Sequence, residues 1–351
     1  MQLKPTTLRT NRGLIQTAGN SICGVLRGFY PAERLIMLFA LLALALYRYS
    51  GMPLRTPFRL YTDRLWEGLT LYGVGLVLTL LGIRLVEIKA AHKSGRRTLR
   101  DTWFRYRQEF LSFPTLFHDV RLVNAIALVF VVFIHLKHLI PQLNPRLYDE
   151  YFFSRERALL GGKLAGEYLH LLGFPGLAEV LSYLYEFFYP YLALLVFFFI
   201  LQRNKHAAQQ FVTSFTLIWF LGILLVYLIP TWGPCFFRPE VYATLPATDV
   251  SRIQAELWKN KVFLDHHPHS RAGIFLISGF PSLHLTVPLL GAALARRRNY
   301  LVFLGSGAFS VLTLVSMLYF GWHYLVDAIG AFLVLGLALI LQKISARYGL
   351  L

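Results

Sequence analysis

The strongest constraint on this chain is that apolar runs of bilayer-crossing length recur along it. A hydrocarbon core about 30 Å thick takes roughly 20 residues of helix. Runs of that kind or slightly shorter cover 65–83, 120–140, 180–201, 211–229, 282–295, 300–319 and 323–341, and one at 35–47 is extendable through its amphipathic flanks. About eight membrane helices are therefore expected, in an all-α, polytopic membrane protein. Composition points the same way: 56% of the 351 residues are hydrophobic and 15% are charged, where soluble domains carry about a quarter. Pro190 inside the fourth run predicts a kink rather than a break.

Charge then orients the helices. Thirty-five Lys and Arg against 18 Asp and Glu leave a net charge of +17. In a soluble domain that balance would point to nucleic acid, but no groove-reading motif accompanies it. In a membrane chain the excess belongs on cytoplasmic loops facing anionic headgroups. The segment 89–119 holds Lys89, Lys93, Arg96, Arg97, Arg100, Arg105 and Arg107, and the groups Arg203 with Lys205, Arg296 to Arg298, and Lys343 with Arg347 fall on the same side. Both termini are thus expected in the cytoplasm. The N-terminal segment carries Lys4, Arg9 and Arg12 and does not read as a cleavable signal peptide. Cys23 and Cys235 are expected on opposite faces and offer no disulfide framework. The segment 141–176 holds a partly amphipathic stretch at 158–172 expected at the interface. Residues 230–280 are expected to form the longest later loop, opening on the breaker Pro230-Thr231-Trp232-Gly233-Pro234.

On this topology two polar islands meet at the outer face. One is Gly279-Phe280-Pro281-Ser282-Leu283-His284, the other Tyr319 to Asp327 with Gly321-Trp322-His323-Tyr324 at its centre. His323 and Asp327 are four apart, so on a helix they share a face, where the carboxylate can accept the imidazole N–H and leave the other ring nitrogen free to attack. Ser282 after Pro281 is a helix N-cap, and the free N–H groups of the first turn suit phosphate oxygens. His284 in that turn is placed to give a proton to a leaving oxygen. Each residue also has a plainer reading, since a histidine or tryptophan at a membrane interface commonly serves packing or headgroup contact.

Pro281-Ser282-Leu283-His284 and, 39 residues after that histidine, His323-Tyr324-Leu325-Val326-Asp327 resemble the second and third signature motifs of the type 2 phosphatidic acid phosphatase superfamily. The Phe280-Pro-Ser-Leu-His form is similar to the inositol phosphorylceramide synthase branch, where Leu replaces the Gly of the phosphatases' Pro-Ser-Gly-His. Pro145-x-x-Tyr148-Asp149 is similar, less specifically, to bacterial members of that branch. The resemblance implies a six-helix catalytic core at 115–342, a two-helix extension at 1–114 and a short cytoplasmic tail at 343–351. It implies His323 as the nucleophile that becomes phosphohistidine, Asp327 as its orienting carboxylate and His284 as the acid for the leaving group. Phosphate contacts are expected from Ser282, Arg238, Ser316 and Arg271, with no metal and no cofactor.

The departures steer the reading. The family's third motif carries Ser-Arg seven and six residues before the nucleophile, and here Ser316 is followed by Met317. Its first motif carries a Lys where this chain has Thr231, although Arg238-Pro239 fits. Arg271, Lys259 and Lys261 are candidates to replace the missing contacts, against the plainer reading of charges at a wet interface. Fewer phosphate cations suit a singly charged diester better than a monoester. The run Asp265-His266-His267-Pro268-His269 fits no closed metal site and reads as a solvated loop or lid.

The expected activity is phosphoryl-headgroup transfer from a phospholipid or polyprenyl-phosphate donor to an alcohol or lipid acceptor at the outer face. The alternatives are a lipid-phosphate or polyprenyl-diphosphate phosphatase using water, and a non-catalytic lipid transporter. Transporters gather polar residues near the midplane, whereas here they gather at one face. Membrane lipids are expected partners and nucleic acid is not. The length and short tails point to a bacterial inner membrane, with the site on the periplasmic or outer side.

Overall fold

Backbone N–H and C=O groups in hydrocarbon must be satisfied within their own segment, which helices achieve and open strands do not. The computed structural model accords with this: it describes residues 28–54, 57–94, 106–173, 175–270 and 279–348, and every regular element among them is helical. In chain order the principal ones are α1 (Pro31–Ser50), α2 (Pro57–Ser94), α3 (Phe113–Leu143), α4 (Asp149–Leu159), α5 (Ala165–His170), α6 (Leu177–Glu186), α7 (Phe188–Leu201), α8 (Lys205–Leu228), α9 (Pro234–Phe237), α10 (Asp249–His266), α11 (Leu283–Ala295), α12 (Tyr300–Tyr319) and α13 (Leu325–Tyr348).

Among the described residues, five segments are long and apolar enough to cross a membrane: Tyr61–Leu85 within α2, then α3, α8, α12 and Leu325–Arg347 within α13. Helices α6 and α7, bent by 41° at Phe187, make a sixth when the pair is taken as one span. That bend has a cause in Pro190, which cannot donate to the carbonyl of Glu186 and whose ring crowds it. All eight expected positions are helical, but two fall short of a span by themselves. Helix α1 holds Glu33, Arg34 and Arg48 within its 20 residues, and α11 has only 13.

Helices α3 and α8 form the buried centre. Helix α1 runs beside α3, tied by Tyr30 to His118 at 2.6 Å, by the Glu33–Arg121 ion pair and by Tyr47 Oη to the carbonyl of His135. Helix α2 lies against α3 and α7, with most of its apolar surface outward. Helices α11 and α13 pack on each other and on α8, while α12 packs along α11 and against α5 and α6, completing the bundle.

The stretch expected as a long loop contains α10. Thr248 caps it by accepting from the Ser251 N–H, and Val250, Leu257 and Leu264 turn inward, a helical spacing hidden among polar residues. Asp265 and His266 are thus the last turn of a helix, and Asp265 pairs with Lys261 one turn back. Cys23 and Arg271 lie outside the described residues, so the expectations resting on them have no structural counterpart here.

Candidate active site

The turn between α12 and α13 delivers His323 and Asp327 together. Asp327 is fully buried in the first turn of α13, and His323 donates its Nδ1–H to Asp327 Oδ2 at 3.0 Å. The same oxygen accepts the backbone N–H of Tyr324 at 3.0 Å. The carboxylate therefore fixes the tautomer, leaving Nε2 as the ring's unprotonated nitrogen. The other oxygen, Oδ1, is buried with no hydrogen-bond partner among the described residues.

The second island docks directly on this turn. Ser282 donates its backbone N–H to the Asp327 carbonyl at 3.3 Å, and its Oγ accepts from Leu285 N as the N-cap of α11. Gly330, one turn beyond Asp327, has no room for a Cβ, which would lie 2.7 Å from the ring of Phe280 and 2.8 Å from Pro281. His284 follows in the first turn of α11. Its ring lies 4.3 Å from that of Phe188 and 5.2 Å from that of Tyr185, which stacks in turn on Trp322. Both His323 and Lys137 of α3 lie within electrostatic reach of His284. His323 and Asp327 thus pair directly, and the N-capped start of α11 that carries His284 docks on the same turn.

Two acids from α4 hold the surrounding loops. Asp149 accepts the backbone N–H groups of Trp232 and Gly233 at 2.9 Å each, and the Tyr324 hydroxyl at 3.1 Å. Glu156 accepts from Leu325 N at 2.7 Å, at the start of α13, and from Ala165 N at 2.8 Å. Burial raises the carboxyl pKa of both, while these backbone donors pull it back down. Thr231 joins the loops from another side, accepting Phe280 N on its hydroxyl at 2.7 Å and Gly279 N on its carbonyl at 2.9 Å. Gly321, at φ +66°, sits where a Cβ would lie 2.4 Å from the Tyr242 ring.

The expected phosphate contacts separate. Ser282 is in the cluster. Ser316 is fully buried in α12 with its Oγ unpartnered among the described residues, and Met317 is core, packed with Leu285, Leu318, Ala328 and Ala331. Arg238 is brought to Glu150 at 3.2 Å and over the rings of Phe153 and Phe237, rather than into contact with His323, His284 or Asp327. Lys259 pairs with Glu256, while Lys261 lies 4.3 Å over Trp232.

Sequence reasoning did not assign Asp149, Glu156, Thr231 or Lys137 to the site. Asp149 stands in the Pro145–Asp149 pattern, and Lys137 is a lone cation inside an apolar run, which is itself a signal of function.

A family model described as the PAP2 superfamily matches residues 150–341, from α4 into α13. No curated protein and no solved structure matches the chain. The match spans more than half of the sequence and contains both islands, so this integral membrane protein belongs to the PAP2 superfamily, whose members are phosphatases or phosphotransferases.

Proposed function

We propose that the protein is a lipid phosphotransferase working through a phosphohistidine. The observation that carries the reading is the buried His323–Asp327 pair, 3.0 Å apart, beside the N-capped start of α11 and its His284. His323 Nε2 attacks the phosphorus of the donor lipid, and the P–O bond to the leaving alcohol breaks. His284 gives that oxygen its proton. The acceptor then yields its proton to His284 and attacks phosphorus, and the P–N bond breaks. Two easier displacements replace one hard one. Asp327 accepts the Nδ1–H throughout and stabilises the imidazolium, and the free N–H groups of the α11 first turn face the phosphoryl oxygens.

The donor is a phosphodiester lipid and the acceptor a lipid alcohol, as in the inositol phosphorylceramide synthase branch. Met317 supports this, because a core methionine stands where a second phosphate cation would be expected. Residues 115–342 make the catalytic core, 1–114 a membrane extension and 343–351 a tail. The arginines at 296–298 support cytoplasmic termini and a site on the outer face of the membrane.

The test is turnover by purified protein in lipid nanodiscs. Labelled phosphatidylinositol, phosphatidic acid and undecaprenyl diphosphate are each supplied with and without ceramide or a sugar alcohol. Acceptor-dependent product is expected, reduced about a thousandfold or more in His323→Ala. Phosphate release independent of acceptor assigns a phosphatase instead, and turnover untouched by the substitution removes the phosphohistidine.

A further inference from the structure

His284 opens α11 and His323 stands in the turn before α13, so the spacing between the two histidines depends on how those segments are held together. One backbone bond joins them directly, from Ser282 N to the Asp327 carbonyl at 3.3 Å, at the long end for such a bond. A second connection runs through the segment that leads from α8 into α9. On one side of it, Thr231 accepts Gly279 N on its carbonyl and Phe280 N on its hydroxyl. On the other, Cys235 N donates to the Gly321 carbonyl at 2.8 Å, and Gly233 lies so close to the Trp322 carbonyl that a Cβ has no room.

Asp149 is the side chain that spans this arrangement. Fully buried as the first residue of α4, it accepts Trp232 N on Oδ2 and both Gly233 N and the Tyr324 hydroxyl on Oδ1. Tyr324 is fully buried too, and its backbone is bound to Asp327 twice. Its N–H donates to Oδ2, the oxygen that also holds His323, and its carbonyl accepts Asp327 N at 3.0 Å. Asp149 thus joins the loop that carries Gly279 and Phe280 to the turn that carries His323. Glu156, by contrast, accepts from Leu325 N and Ala165 N, and none of its described hydrogen bonds reaches that loop. A carboxylate taken out of water is a poor source of stability; what three donors converging on it supply is a fixed direction.

We propose that Asp149 is a positioning residue for the reaction: through the Tyr324 hydroxyl and the 231–233 loop it sets the spacing between His323 and His284, and with it the delivery of a proton to the leaving oxygen. The roles of the two histidines rest on the phosphotransfer reading above. The His323–Asp327 pair is local, so attack on phosphorus survives a change in this spacing, while proton donation from the other segment does not. A misplacement of about 1 Å in such a geometry costs up to about a hundredfold. The loss depends on the leaving group, because an alcohol needs a proton to depart and nitrophenolate does not.

Two measurements on the full-length protein in phosphatidylcholine nanodiscs test this with Tyr324→Phe, which removes one hydroxyl and keeps the packed ring. In single turnovers, diacylglycerol release from labelled phosphatidylinositol is expected to fall about tenfold or more, and nitrophenol release from dodecyl nitrophenyl phosphate by about twofold or less. A purely structural role lowers both alike, and equal losses overturn the proposal. Amide hydrogen exchange at Gly279 and Phe280, in the segment that the substitution does not touch, is expected to quicken about tenfold. Unchanged exchange there overturns the connection with no substrate involved. Should Tyr324→Phe fail to fold, Thr231→Val cuts the same connection at its far end and is read by the same pair of releases. His323→Ala separates the two readings. Nitrophenol release that survives it removes the phosphohistidine, while release that requires His323 yet falls equally for both donors in Tyr324→Phe removes the positioning role alone.

Discussion

The two ends of α3 lie beside buried acids treated in opposite ways. Near its start, Asp119 accepts the Tyr72 hydroxyl at 2.8 Å and Arg203 Nη1 at 2.7 Å, and that guanidinium lies 4.0 Å over the Phe110 ring. Beyond its end, Asp149, Glu156 and one oxygen of Asp327 accept from backbone N–H groups, a tyrosine and a histidine, with no Arg or Lys among their described hydrogen-bond partners. A permanent cation locks a carboxylate into structure. Without one, the charge stays available to the histidine, and the neighbourhood can receive an anionic substrate with its own cation.

This contrast can be broken at either end. The largest effect is expected at the histidine's partner: Asp327→Asn should lower kcat by about three orders of magnitude with the fold retained, as read by turnover and by melting in nanodiscs. A loss of less than tenfold would mean that Asp327 holds the turn and nothing more. Next comes Arg203→Met, which strands Asp119 and should cost about 3 kcal/mol of stability while kcat stays within about twofold. Adding Asp119→Asn should return part of the loss, and a large fall in kcat would show that the two ends are coupled.

The smallest effect is in pH. Burial holds Asp149 and Glu156 above their unfolded pKa, so the folded protein binds more protons in that interval. Their contribution is therefore fully present below the unfolded carboxyl pKa and is lost as pH rises through the raised folded values. Melting temperature should fall by a few degrees across that window. Glu156→Gln should flatten the slope, and an unchanged slope would assign the dependence to other groups.

How much of this was legible beforehand follows from sequence distance. His323 with Asp327, and Ser282 with α11, are local relations of four residues or fewer, and the expected hydrogen bond and N-cap are both present, although His323 lies in the turn before α13 rather than on a shared helix face. A bend at Pro190 was legible for the same reason, but the helix breaks at Phe187 where a kink was expected, displaced by the reach of a proline to its fourth predecessor. Asp149 meets Gly233 84 positions on, and Glu156 meets Leu325 169 positions on, so no periodicity could pair them. Arg238 was legible as a motif residue, but only the structure assigns its guanidinium to Glu150. Helix α10 was missed because its few inward apolar residues are diluted by charge.

The bend at Phe187 bears on reaction outcome. By ending one helix and starting another, it sets Tyr185 on one side of the turn and Phe188 on the other, both against the His284 ring. On the proposed chemistry, each aromatic face laid on that imidazole occupies a place where water would otherwise stand. The share of intermediates captured by alcohol rather than hydrolysed is then governed by these two rings. The branching ratio of the enzyme becomes a property of a kinked helix that touches no phosphate.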